Sequence, residues 1–155
     1  MKKTRLRKSD IRELNEKIAC YNFQANKKDN VEIVDDGNLI MIFINSKPFF
    51  FYHNGKIIPT LKFLLENMAM KKVVVDMGAV KFVISGADIM RPGIVEIDEG
   101  IEEGEPIAVV DVNNNKPLSV GIALYSSQDM QELDSGKAVK SIHYIGDQIW
   151  DKKFS

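Results

Sequence analysis

VVVDMGAVKFVISGADIMRPGI, residues Val73 to Ile94, decides how this chain folds. Val73 to Asp76 is a short β-branched run, and such a run bounded by turn residues reads as a strand. Gly78 permits a turn that a side chain hinders. Val80, Val83 and Ile84 then face a core along one helical turn and leave Lys81 outward. Gly86 stands where that helix stops, because glycine adopts the left-handed conformation common after a helix end. Pro92-Gly93 suits the central positions of a type II turn before a second strand, Ile94 to Asp98. Each glycine alone has a shaping role. Together their spacing writes strand, short helix, turn, strand, with no catalytic side chain among them.

Upstream, Ser9-Asp10 followed by IRELNEKIAC starts a helix, with Ile11, Leu14 and Ile18 on one face. Past the polar loop from Asn26 to Asn30, the segments VEIVD, NLIMIFIN and KPFFFYH read as strands of a meander, divided by Asp35-Asp36-Gly37 and Asn45-Ser46. Asn54-Gly55 turns into KIIPTLKFLLENM, where Pro59 or Thr60 begins a helix with Leu61, Leu64, Leu65 and Met68 as its apolar stripe. An α/β module ends near Met70. Nothing between it and Val73 is long enough for a free linker, so two modules sharing an interface are expected. Downstream lie EPIAVVDV, LSVGIALY, a helix from Ser127 to Leu133, then AVKSIHYIG and QIW. Four or five short strands with tight turns suggest a small closed barrel.

At 155 residues, 45% hydrophobic and 28% charged, the chain has the make-up of an ordinary globular protein. The apolar run from Leu39 to Ile44 is far shorter than the roughly 18 to 20 residues a membrane helix needs. The basic N-terminus has no apolar stretch behind it, so it does not read as a secretory signal, and the cytoplasm is the expected compartment. A single cysteine, Cys20, makes no internal disulfide and reads as a small core residue. The net charge of −1 rules out a globally basic protein, but the charge is unevenly placed. Lys2, Lys3, Arg5, Arg7, Lys8 and Arg12 face only Asp10 within the first twelve residues, while Glu96 to Glu105 holds acids and no base. That polarity suits one face toward a phosphate backbone, or simply two solvated segments.

Enzyme signatures are missing. His53 and His143 are the only histidines and form no cluster of zinc spacing, so no metal and no cofactor is expected. There is no phosphate loop, nucleophile elbow or dinucleotide fingerprint. Asp76, Asp88 and Asp111 read as turn and capping residues, and Ser85 as helix-end packing. A protein that is not an enzyme is expected.

Over Val73 to Trp150 the chain resembles the PUA family, small RNA-binding barrels named after pseudouridine synthases and archaeosine transglycosylases. With PTLKFLL at Pro59 to Leu65, DMGAVKFVISGADIMRPGI and IHYIGDQIW, it is similar to the malignant T-cell-amplified sequence type and its archaeal relatives. The resemblance implies an α+β chain in which an N-terminal α/β pre-PUA module, residues 1–72, packs on a C-terminal small PUA β-barrel, residues 73–155. The segment after Ile94 departs from the family in being short and acidic, and no initiation-factor domain is attached.

The implied function is non-enzymatic RNA binding in translation initiation or ribosome recycling, with tRNA or rRNA as the structured RNA. The small ribosomal subunit or an initiation-factor-like protein is an implied partner, and no membrane is. A substrate-positioning accessory to a pseudouridine synthase or transglycosylase is the alternative. A protein adaptor using Phe49-Phe50-Phe51-Tyr52 ranks last. For RNA, Lys81, Arg91 and Lys140 supply charge or stand as surface charges. Gly86 and Ala87 let a sugar-phosphate approach, and Tyr144 or His143 stacks on an unpaired base. Core packing is the alternative for Tyr144, and a structural hydrogen bond the favoured one for His143.

Overall fold

KKTR at the N-terminus carries no apolar alternation, yet in the computed structural model, which describes residues 1–152, it is an edge strand, β1 (Lys2–Arg5). All four residues are exposed, and the strand is held by pairing with a later one, where Lys2 lies opposite Asp35 and Arg5 opposite Glu32. Opposite charges across a strand pair stabilise it. Helix α1 (Lys8–Ile18) starts one residue before the expected Ser9, because Arg7 is its cap and the Arg7 N–H donates to Asp10 Oδ2 at 3.1 Å. Ile11, Leu14 and Ile18 are buried, as their spacing requires. Cys20 follows in a 3-10 turn, exposed, so it is not the core residue expected.

Strands β2 (Val31–Asp35), β3 (Ile40–Ile44), β4 (Lys47–His53) and β5 (Lys56–Pro59) complete an antiparallel meander in the order β1-β2-β3-β4-β5. Phe49, Phe50 and Phe51 are buried, with Phe49 and Phe50 set against Phe23 and Phe63 at ring separations of 4.9 to 6.2 Å. That aromatic run is core, not a docking surface. Helix α2 (Leu61–Glu66) is capped by Thr60, whose Oγ1 accepts from the Phe63 N–H at 3.2 Å and donates to the Pro48 carbonyl at 2.6 Å. The expected stripe is corrected here: Leu61, Phe63 and Leu64 are buried, whereas Leu65 falls on the exposed face of the helix and Met68 lies beyond its end at Glu66.

The described residues divide into two compact units: Met1–Ala69 together with Asp151 and Lys152, and Met70–Trp150. The C-terminal Lys152 pairs with Asp36, whose carboxyl is lowered to about 2 by that ammonium and by the N–H groups of Asn38 and Leu39.

The second unit runs β6 (Lys72–Val75), α3 (Met77–Val83), β7 (Ile89–Met90), β8 (Ile94–Ile97), β9 (Pro106–Asp111), β10 (Pro117–Ala123), α4 (Ser127–Gln131), β11 (Lys137–Tyr144) and the helical turn α5 (Gln148–Asp151). Its sheet has six strands, ordered β7-β11-β10-β9-β6-β8, and forms a nearly closed barrel. All pairings are antiparallel except β6 with β9. Val73, Val75, Ile107, Val109 and Val139 fill the interior. At Gly121, where the β10–β11 register shifts, a Cβ would stand 2.4 Å from Val139 Cγ1 and 2.8 Å from the Lys140 carbonyl oxygen, so only glycine fits.

Three local expectations change. Pro92-Gly93 lies in a 3-10 turn, Arg91–Gly93, with Pro92 pre-setting its φ rather than opening a type II turn. Ile84 is 41% exposed, since α3 ends before it. QIW is helical because the Asp147 carboxylate accepts the Trp150 N–H at 2.8 Å. No helix among the described residues is long and apolar enough to cross a membrane.

Candidate functional site

Helix α3 is fixed at both ends by its own sequence. Asp76 Oδ1 accepts the Ala79 N–H at 2.9 Å and caps the start. At the other end Gly86, at φ +92°, lets the Gly86 N–H reach the Val83 carbonyl and the Ala87 N–H reach the Phe82 carbonyl, both at 3.1 Å. These are the paired bonds of a Schellman motif. A chain so terminated turns at once into Ala87-Asp88 and β7, and a groove of about 600 Å³ opens between α3 and the segment 87–93.

The groove wall is apolar. Ala79, Phe82, Ala87, Met90 and Pro92 line it, with Phe82 57% exposed and Met90 47% exposed. Lys137 stands at its rim and pairs with Asp88 at 3.1 Å. Burial pushes the Asp88 carboxyl up, but the Ser141 N–H at 2.9 Å, Lys137 and Lys140 outweigh it and leave it below the usual carboxylate value. Asp88 is thus an anion already matched by lysines. Lys81 sits beside the groove with Nζ 5.1 Å from the Phe82 ring centre, a cation over an aromatic face. An exposed aromatic face with lysines around it offers a stacking platform beside positive charge.

The residues singled out from sequence separate into two groups. Lys81 and Lys140 are exposed, Ala87 lines the groove, and Tyr144 is half-buried. Gly86 is small for an internal reason: a Cβ there would stand 2.7 Å from the Tyr144 ring, so the ring takes the space beside its backbone. Arg91 is outside the groove lining, and its guanidinium is spent on main-chain carbonyls, Nε to Met130 at 2.8 Å and Nη1 to Ile94 at 3.0 Å. His143 is fully buried, with Nδ1 2.9 Å from Asp147 Oδ2, so its ring offers no face to a base. Arg91 is therefore corrected from a contact residue to an internal tie, and His143 takes the structural hydrogen bond favoured for it, not the stacking role.

Asp147 gathers that tie. It accepts from His143, from the Tyr144 N–H at 2.9 Å and from the Trp150 N–H at 2.8 Å. Burial pushes its carboxyl up, yet His143 and the two amides hold it below the ordinary value. Phe82, Met90 and Lys137 were not singled out from sequence, and Asp88 was read there only as a turn or capping residue. Phe82 had a local signal, an apolar residue next to the outward Lys81 on a helix whose inward positions are Val80 and Val83. Lys137 had none, since β11 brings it to the groove from far along the chain. Among the described residues no group of His, Cys, Asp and Glu is arranged to hold a metal ion.

Two family models match the chain, the PUA domain over residues 71–145 and a domain of unknown function, DUF1947, over residues 2–67. An uncharacterized protein of Methanocaldococcus jannaschii is 44% identical over 96% of this chain and 94% of its own length. Translation machinery-associated protein 20 of Schizosaccharomyces pombe is 32% identical over 80% of this chain and 72% of its own, and malignant T-cell-amplified sequence 1 of Danio rerio is 32% identical over 82% and 74%. A hypothetical protein from Pyrococcus horikoshii superposes with a TM-score of 0.83 at 36% identity, over 97% of this chain and 98% of that one. A chain in the structure of an H/ACA RNP bound to a substrate RNA matches 62% of this chain and 29% of its own, with a TM-score of 0.51 at 29% identity. The chain belongs to the PUA-domain family of translation machinery-associated protein 20 and malignant T-cell-amplified sequence 1, with a DUF1947 domain ahead of the barrel.

Proposed function

We propose that this protein is a non-enzymatic RNA-binding protein of the translation apparatus, and that it takes a structured RNA, tRNA or rRNA, at the α3 groove. The observation that carries the reading is Phe82, a large aromatic side chain left 57% exposed on a groove rimmed by lysines. Burying such a ring stabilises a fold, and an exposed Phe82 joined by an exposed Met90 on one groove forms an apolar patch of the kind that marks a contact surface. An unpaired base stacks on Phe82 or Tyr144, while Lys81 and Lys140 meet the phosphates on either side and Ala87 allows the sugar to come close. The names of the curated relatives, translation machinery-associated proteins, favour the small ribosomal subunit or an initiation-factor-like protein as partner and the cytoplasm as compartment.

Binding of unfractionated tRNA to the Phe82→Ala variant tests this. Stacking on an aromatic ring contributes about 1–3 kcal/mol per base, so affinity falls about fivefold to a hundredfold. Unchanged affinity refutes the groove. The likeness to a chain of an H/ACA RNP favours a second reading, a substrate-positioning accessory for an RNA-modifying enzyme. Co-sedimentation with the small subunit selects the first reading, and recovery with a modification enzyme and unmodified tRNA selects the second.

A further inference from the structure

A second cavity belongs to the first unit. It is a groove of about 820 Å³ between α1 and the loop 24–28. Lys8 and Arg12 line it from the helix, Lys27 and Lys28 from the loop, and Glu16 is the one acid on its wall. All four cations are exposed, and among the described residues none of them has an ion pair or a side-chain hydrogen bond. Two acids close by in sequence are engaged with other groups: Asp10 with Arg7, Asp29 with Asn26 and Asn45.

Two features show that this charge is held in place. Asn15 clamps the loop to the helix face, donating from Nδ2 to the Ala25 carbonyl at 2.9 Å and accepting the Ala25 N–H at 2.8 Å. The turn carrying Lys27-Lys28 is closed by Asp29, whose Oδ2 accepts the Asn26 N–H at 2.8 Å and whose N–H donates to the Asn26 carbonyl at 3.0 Å. The helix also places Lys8 and Arg12 four residues apart, where like charges destabilise it. A fixed concavity with four cations and one anion, built at that cost, fits a ligand with several negative charges in a row.

We infer that this groove is a second RNA contact, a phosphate-backbone site formed by Lys8, Arg12, Lys27 and Lys28. It has no exposed aromatic platform of its own, so it binds phosphates without reading bases, and it adds affinity and salt dependence to whatever the α3 groove selects. The inference rests on the proposed RNA-binding function but not on the α3 groove.

The test measures affinity of the full chain for unfractionated tRNA across a salt series. The proteins are wild type, the quadruple variant Lys8→Ala, Arg12→Ala, Lys27→Ala, Lys28→Ala, the variant Phe82→Ala, and Glu16→Gln. Each phosphate contact contributes roughly 0.7 to 0.9 to the slope of log affinity against log salt, so losing four flattens the slope by about 3 to 3.5 in the quadruple variant. Phe82→Ala weakens binding with the slope kept. Glu16→Gln, which removes the opposing charge without touching a cation, raises affinity about twofold to fivefold at low salt. Wild-type binding with an unchanged slope in the quadruple variant overturns the inference and leaves the α3 groove standing. A flattened slope with no effect of Phe82→Ala does the reverse. Absence of tRNA binding by wild type overturns both. Circular dichroism of the quadruple variant, whose four positions are all exposed, confirms that it folds.

Discussion

Removing the Asp147 carboxylate is expected to destabilise the barrel more than any other single polar change near its last strand. A carboxylate only accepts, so His143 donates from Nδ1, and the imidazole is fully buried. Asp147→Ala leaves that donor with no carboxylate in a dry site, at about 1–3 kcal/mol, and releases the Tyr144 and Trp150 amides, at about 0.5–1.5 kcal/mol each where water does not replace the acceptor. A total near 3 kcal/mol lowers the melting temperature by roughly 6–12 °C for a chain of this length. The chain has one tryptophan, Trp150, and its own amide is one of the three donors, so its fluorescence reports the transition where the perturbation is made. Gln148→Ala, an exposed neighbour, is the control and moves the midpoint by less than about 0.5 kcal/mol.

The same tie sets an acid limb. The folded-state carboxyl of Asp147 is held below the ordinary aspartate value, so its contribution is complete above that ordinary value and is lost as pH falls through the folded one. Wild type therefore loses more stability than Asp147→Asn between about pH 5 and pH 2. A melting shift under about 2 °C for Asp147→Ala, or parallel acid limbs for wild type and Asp147→Asn, refutes the tie.

Two further outcomes concern packing. Arg91→Ala loses hydrogen bonds to the Met130 and Ile94 carbonyls and destabilises by about 1.5–3 kcal/mol in urea unfolding, while the salt slope of RNA binding stays as in wild type. A flattened slope assigns Arg91 to phosphate instead. Gly121→Ala forces a Cβ against the Lys140 main chain at the register shift and costs about 2 kcal/mol or more; a melting point equal to wild type contradicts the contact geometry.

The parts of the fold that were legible in the sequence are those whose cause is local. Gly86 ends α3 because the Schellman bonds close within six residues, and β2 to β5 announce themselves by apolar runs cut by Asn, Asp and Gly. The parts that were not legible have their cause far along the chain. β1 is exposed at every position and exists only because β2 pairs with it. QIW reads as a strand by composition, and a capping aspartate just before it decides otherwise. At the site, Lys81 and Ala87 could be placed from their own helix and its cap, whereas Arg91 looks like an RNA ligand until the fold brings the carbonyls of Met130 and Ile94 to it, and the structural hydrogen bond favoured for His143 has its partner, Asp147, one turn further on.

The parallel pairing of β6 with β9 fixes the order in which this molecule can be born. β6 is made first in its unit but lies between β8 and β9, and β7, which forms one side of the α3 groove, pairs only with β11 through Met90 opposite Lys137 and Ile89 opposite Val139. Such non-local pairings close late. A folding chain therefore carries α3 without a fixed opposing wall until β11 has paired with β7, and the groove is among the last features to form.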